Sequence, residues 1–227
     1  MPRKFFIIRH AQTNYNKAEQ ISNSLNIPHE IAEFRWDPLL VDSYLSSEGV
    51  IQCESAQPHI HSLPIDKIFV SPLRRALQTC KILFSTHPNH PKIIVSPELH
   101  EIFNNGHDIS VFQGSIFEDF SEFDWSLMPE NFRSWKLADE CFTEELSRGD
   151  FRIDEVLGLM RKYGRLESVE NVYQRAQKTK EIWRKEAESE NVAIVTHSTF
   201  LREFSKKDFG DAGIWLENCE CREYELD

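Results

Sequence analysis

The stretch F-F-I-I-R-H-A-Q-T-N-Y-N, residues 5 to 16, decides how this chain is read. Four consecutive apolar residues without alternation describe a strand covered on both faces. They deliver Arg9 and His10 side by side into a polar turn, where neither contributes to a core. A cation and an imidazole held together at a strand end imply chemistry there, so the rest of the chain is searched for what could join them.

Working outward, three more short runs rich in β-branched residues repeat the pattern: Lys67–Val70, Lys92–Val95 and Val192–Thr196. Between the first two strands, residues 46–63 read as helical, with Ser46 and Ser47 offering capping hydroxyls and Pro58 expected to break or kink the segment. Residues 72–84 begin with a proline at an apparent first helical position and carry Leu73, Ala76, Leu77, Cys80, Leu83 and Phe84 at helical spacing. The stripe Val169, Val172, Tyr173, Ala176, Trp183 and Ala187 predicts a long amphipathic helix over residues 168–189, just ahead of the last parallel strand. Residues 219–226 alternate as an edge strand would.

Strands alternating with helices predict an α/β fold, a three-layer α/β/α sandwich around a mostly parallel sheet. The rhythm breaks between residues 105 and about 165. There Phe112, Phe117, Phe120, Phe123, Trp125, Phe132, Trp135 and Phe142 crowd among acids. A segment of that length inside a compact domain reads as a helical, aromatic cap inserted at about 105–164, or as a small helical subdomain whose aromatics only pack on the sheet. The expectation is one domain over residues 1–227, with its core in 1–104 and 165–227.

Composition narrows the partners. The chain has 227 residues, 37 acidic against 26 basic, for a formal charge of -11. Such a field repels nucleic acid and anionic membrane surfaces, so any bound anion needs a local basic pocket. Five cysteines, Cys53, Cys80, Cys141, Cys219 and Cys221, are odd in number and scattered, which suits a reducing compartment. The apolar run at the start is too short for a signal peptide and no window reaches the ~18 apolar residues of a membrane span. The expected location is therefore the cytoplasm, or the nucleus.

Ligands of open α/β sheets gather at the carboxyl ends of the strands. Four such loops carry polar chemistry here: Arg9 to Asn16 after the first strand, Ser71 to Thr79 after the second, Leu99-His100-Glu101 after the third, and Thr196-His197-Ser198 after the fourth. Two histidines, at least two arginines and a carboxylic acid can converge on one crevice. The pairs His59 and His61, His87 and His90, and His100 and His107 lack helical spacing with an acidic third ligand, so no metal site is expected. Cys219 and Cys221 would share a strand face and suit packing better than zinc. No phosphate-cradling glycine loop, nucleotide fingerprint or basic stripe is present, and no cofactor is expected.

With these residues in place the chain resembles the histidine phosphatase superfamily, the phosphoglycerate mutase-like proteins. The resemblance rests on R-H-A-Q-T-x-x-N, S-P-L-R-R-A-L-Q-T, L-H-E and V-T-H-S-T-F-L-R, in that order at strand ends, with E-S-V-E-N-V-Y-Q-R ahead of the last long helix. It covers roughly residues 4 to 104 and 167 to 227. It implies a metal-independent phosphoric monoester hydrolase of the histidine acid phosphatase type, acting on a small phosphorylated substrate through phosphohistidine. By the same resemblance His10 is the nucleophile, Arg9, Arg75 and His197 hold the phosphoryl group, and Glu101 is acid then base, with Glu98 as its rival. Thr13, Asn16, Gln12 and Ser198 fall where the family contacts phosphate, although Thr13 serves equally as a helix N-cap.

The physical logic agrees, since phosphoryl transfer needs positioning and cationic donors, and arginine binds phosphate through a planar fork. Arg74 should point ~100° away from Arg75 around a helix, toward solvent or an acid. Two positions depart from the family pattern: Ala11 and Ser198 replace glycines, which is harmless only where φ stays negative. Gln12 replaces a common glutamate. The basic residues of true mutases are missing from 105–165, so mutase activity is not expected. A second reading keeps the fold but makes the chain a catalytically weak or inactive phosphatase-like domain that binds a phospho-ligand or a protein.

Overall fold

A computed structural model describes residues 3–28, 32–110, 115–128, 153–163, 167–186 and 190–226. Its sheet has five strands, β1 (Phe5–Arg9), β2 (Lys67–Val70), β3 (Lys92–Val95), β4 (Val192–Thr196) and β5 (Cys221–Tyr224), in the order β3-β2-β4-β1-β5. The first four are mutually parallel and β5 lies antiparallel on the β1 edge. Seven α-helices are described: α1 (Asn14–Ser24), α2 (Ser47–His61), α3 (Arg74–Phe84), α4 (Ser115–Asp119), α5 (Ile153–Tyr163), α6 (Val169–Glu186) and α7 (Ser198–Phe204).

The central strands are buried on both faces, as their unbroken apolar runs require. Phe6 and Ile8 pack with Ile68, Val70, Cys53, Ala76, Leu77 and Cys80 on the side covered by α2 and α3. Phe5 and Ile7 point the other way, toward Val172, Ala176, Trp183, Phe200 and Phe204 of α6 and α7. Trp183 anchors that second layer, its ring 5.8 Å from both Phe69 and Phe204. Fully burying side chains of this size is worth roughly 1.5–3 kcal/mol each, so the two apolar layers fix which way each strand residue faces. At the edge, β5 stays partly exposed and carries Arg222 and Glu223, the latter 2.7 Å from Lys4, a charged rim that discourages further strand pairing.

Some local readings are corrected. Pro58 neither breaks nor ends its helix, because it sits on the solvent face and the carbonyl one turn earlier belongs to the exposed Glu54. Helix α3 starts two residues after Pro72, with Leu73 in extended conformation as its uncapped N-cap. Arg74 is not solvated: its guanidinium lies 4.5 Å over the Tyr44 ring and 3.6 Å from Asp119, so of the two expected destinations the acid is the one found. Cys219 precedes β5 with φ 63° and places its sulfur 3.9 Å from that of Cys53, instead of sharing a strand face with Cys221. Phe112, Phe132, Trp135, Phe142 and Cys141 lie outside the described residues. Of the expected cap aromatics, Phe120 and Phe123 are buried against the α3 side of the sheet, and Phe117 and Trp125 pack partly buried beside them.

Candidate active site

Parallel strands bring their carboxyl ends to one edge, and the ladder runs on past each strand into the loops. His10 N–H donates to Thr196 O at 2.9 Å, Ser71 N–H to Val195 O at 3.0 Å, and Ser96 N–H to Val70 O at 2.9 Å. The first residue after each of these strands is therefore fixed as firmly as the strand itself. That is why residues distant in sequence meet: the His10 and His197 rings stand 5.1 Å apart at 55°.

His10 is buried and its Nδ1 lies 2.8 Å from Ala11 O. A carbonyl can only accept, so Nδ1 carries the proton and Nε2 keeps its lone pair. Burial first, then Arg75 and Arg9, hold its pKa well below the ordinary histidine value, so the ring is neutral. His197 is depressed in the same way, by burial and then by Arg75. Its Nδ1 accepts from Arg75 Nε at 3.2 Å and its Nε2 donates to Ser71 Oγ at 2.7 Å. Ser71 opens the polar loop after β2, but sequence alone assigned it no role.

The two arginines differ. Arg9 Nη1 donates to Leu216 O at 2.8 Å, its guanidinium lies 5.6 Å from the Trp215 ring, and its Nε is buried with no partner among the described residues. Arg75 is fully buried and spends three N–H groups on protein, giving Nη1 to His107 O at 2.6 Å and Nη2 to Asp108 at 3.1 Å besides the bond to His197. Glu101 comes to the same edge: its Oε1 accepts from Ile102 N at 2.8 Å, its Oε2 from Thr199 N at 3.1 Å and Ser198 Oγ at 3.4 Å. It thus touches the loop that carries His197. Glu98 is only half buried, and its carbonyl accepts from Arg175 Nη1 at 2.6 Å.

The remaining sequence candidates are tied up locally. Thr13 Oγ1 caps α1 by accepting from Asn16 N at 3.0 Å, and Asn16 Oδ1 accepts from Thr13 N at 3.2 Å. Gln12 donates to Gln20 at 3.2 Å and accepts from Ser46 Oγ at 2.7 Å. Neither Ala11 nor Ser198 is among the described non-glycine residues with positive φ, which are Asn26, Asp42, His90 and Cys219, so the replaced glycines cost no backbone strain.

Two supporting features went unrecognised. The ends of the quoted E-S-V-E-N-V-Y-Q-R stretch meet: Arg175 Nη2 lies 3.0 Å from Glu167 while its Nη1 holds the carbonyls of Glu98 and His100. The spacing across the start of a helix was visible, but its partners were not. Asp108 closes a short turn with Asn105, a capping box that N-x-x-D could have signalled.

Comparison with known proteins bears on the family and the fold. A family model described as the histidine phosphatase superfamily, branch 1, matches residues 5–159. No curated protein matches. Among solved structures, the ecdysone phosphate phosphatase of Bombix mori is 14% identical with a TM-score of 0.55, covering 97% of this chain and 88% of its own. A phosphoglycerate mutase from Bacillus anthracis is 19% identical with a TM-score of 0.54, covering 99% and 88%. A mycobacterial glucosyl-3-phosphoglycerate phosphatase is 18% identical with a TM-score of 0.53, covering 97% and 89%. At these identities the likeness is one of fold.

Proposed function

We propose that this chain, which belongs to the histidine phosphatase superfamily, is a phosphomonoesterase that hydrolyses a small phosphorylated substrate through phosphohistidine at His10. The observation that carries the reading is the His10 imidazole: neutral, donating through Nδ1 to Ala11 O at 2.8 Å, and so presenting an Nε2 lone pair beside two arginines. Imidazole so held is a nucleophile at neutral pH without needing a separate base. In the first step the Nε2–P bond forms as the P–O bond to the substrate alcohol breaks. In the second, water adds to phosphorus and the N–P bond breaks, returning the electron pair to Nε2.

Charge on the transferring oxygens is met by Arg9 and Arg75, whose forks suit phosphate. The buried Arg9 Nε without a protein partner is a donor waiting for an acceptor such as a phosphate oxygen. Glu101 is the proton donor to the leaving oxygen and then the base for water, because it is the carboxyl group that touches the His197 loop. Glu98 serves instead through its carbonyl. His197 steadies Arg75 in the unliganded state and turns its ring N–H toward a phosphate oxygen when one arrives. The mechanism asks nothing of a metal, and phosphoglycerate mutase activity is not part of the proposal.

The test is turnover of p-nitrophenyl phosphate in the presence of a chelator, with rapid-quench detection of acid-labile phosphoprotein. Both signals should vanish in His10→Ala; phosphoprotein that persists in that variant would refute the assignment.

A second reading draws on Arg75, whose ion pair with Asp108 and bonds to His107 and His197 already occupy three donors. It makes the chain a phospho-ligand binding domain with vestigial activity. Phosphate binding without phosphoenzyme on any tested ester would favour it.

A further inference from the structure

Arg75 enters the crevice already paired. Its Nη2 lies 3.1 Å from Asp108 Oδ1, and the two side chains are 1% and 2% exposed. The carboxylate is held from behind, with Oδ2 accepting from Asn105 N at 3.0 Å and Asn104 N at 3.3 Å. Its turn, Gly106–Asp108, cannot back away: a Cβ on Gly106 would stand 2.4 Å from the Leu157 side chain and 3.3 Å from Arg35 O. The mechanism above leaves Asp108 unused, although it pairs directly with the guanidinium assigned to hold phosphate.

We propose that Asp108 is a positioning residue of the anion site: its carboxylate sets the orientation of the Arg75 fork and competes with a bound phosphate for it. This deepens the phosphatase reading and rests on it only in taking the crevice beside His10 as the place where an oxyanion sits. A planar fork fixed at Nε by His197 and at both Nη atoms by His107 and Asp108 has its remaining N–H bonds aimed by the protein. An oxyanion arriving on those bonds brings negative charge next to a buried carboxylate, and like charges at short range in a dry site repel strongly. Uptake of the anion is therefore linked to uptake of a proton by Asp108.

The surroundings allow that proton. Facing Asp108 are Arg75 from α3, His107 on its own turn with Nε2 3.1 Å away, Glu101 from the loop after β3, and Tyr15 from α1 stacked 3.5 Å over His107. Arg35 reaches the same turn through Asn105 Oδ1 at 2.6 Å, and α5 contributes the apolar Leu157. Burial outweighs Arg75 and the two backbone donors and pushes the Asp108 carboxyl up to about 7. Tyr15 is moved upward, and His10 and His197 downward, away from the same window.

Sulfate is the probe, since its charge is constant across the window. Titration calorimetry of the whole chain should show sulfate affinity falling about tenfold from pH 6 to pH 8, the drop expected when only the protonated form of a group titrating at about 7 admits the anion. In Asp108→Asn the dependence should disappear, with tighter sulfate binding than wild type at pH 8 and a lower kcat on p-nitrophenyl phosphate because a neutral amide holds the fork less firmly than a carboxylate. A purely structural residue would instead weaken binding equally at both pH values. A flat wild-type profile, which needs no variant to measure, or a slope that survives in Asp108→Asn, would overturn the proposal while leaving the phosphatase reading intact. Sulfate that binds at neither pH would overturn both.

Discussion

Arg175 is the residue whose loss should be felt furthest from where it stands. It leaves α6 buried, pairs with Glu167 at 3.0 Å, and holds the carbonyls of Glu98 at 2.6 Å and His100 at 2.9 Å, with the Phe200 ring 5.2 Å from its guanidinium. Arg175→Met keeps the stem and removes the charge and donors. It takes the guanidinium away from Glu167, which is only 11% exposed and keeps Phe103 N at 3.3 Å, and from two carbonyls of the loop that carries Glu101. Breaking a buried pair from one side costs about 3–5 kcal/mol. At about 2–4 °C per kcal/mol for a domain of this size, the melting temperature should fall by roughly 6–20 °C. Glu167→Gln keeps an acceptor and should cost less, about 1–2 kcal/mol. Urea unfolding of both variants and the double variant, with equal m-values, gives the coupling directly. The reasoning fails if Arg175→Met costs under about 1 kcal/mol, or if the two losses simply add, because then the pair is a surface-like bridge and not the hook for the loop.

Two further outcomes follow from particular contacts. A Cβ at Gly49 would stand 2.0 Å from Gln12 O, a backbone atom, so Gly49→Ala should displace the turn after His10 and cost about 1–3 kcal/mol in unfolding free energy together with a drop in kcat. An alanine that left both unchanged would show the contact to be slack. His10 is held neutral in the fold below its ordinary pKa, while the unfolded chain takes up the proton as pH falls through about 6.5, so acid favours unfolding at this position. Denaturation curves of wild type and His10→Ala below that pH should therefore diverge, wild type losing about 1.4 kcal/mol more per pH unit; parallel curves would mean that His10 titrates normally.

The sheet was legible because it needed only local information. Runs such as Lys67–Val70 and Val192–Thr196 are apolar on both alternating faces, and the strands appear where those runs lie. What escaped depended on partners. Helix α7 spans seven residues, too few for a periodic stripe, and α5 carries its helical spacing inside a segment whose aromatics dominate the eye. The start of α3 was misplaced because Pro72 satisfies the rule for a first helical residue, yet the helix begins where Arg74 N–H finds Asp42 at 2.9 Å. Arg74 was read by its angle from Arg75, which says where a side chain sets out and not that Tyr44 waits there. At the crevice, sequence could bring Arg9, His10, Ser71, Arg75 and His197 to strand ends, but the bond between Ser71 and His197, Asp108 and the Leu216 carbonyl enter only through contacts. Thr13 is the instructive ambiguity: the same residue fits a phosphate contact and a capping box, and the capping box is what the backbone geometry displays.

On the function proposed, the crevice also explains how a chain of charge -11 would keep a place for an anion. Long-range attraction is unavailable, because Glu101, Glu217 and Glu19 all lie near enough to Arg9 to act on it. Attraction must therefore be short-range and directional. It comes from donors whose protein partners are incomplete, as with Arg9 Nε, or exchangeable, as with the Arg75 bonds. A fork balanced by a buried carboxylate attracts little from a distance, yet it gives up one acceptor for another at small cost once the newcomer is inside. Such a site discriminates by fit and by proton uptake more than by charge. A leaving group bearing further phosphates would meet Glu217 and Glu19 beside Arg9. On the function proposed, the same balance that hides the cations from solvent would favour a substrate with one phosphoryl group on an otherwise weakly charged alcohol, and the acidic surface and the cationic crevice would belong to one design.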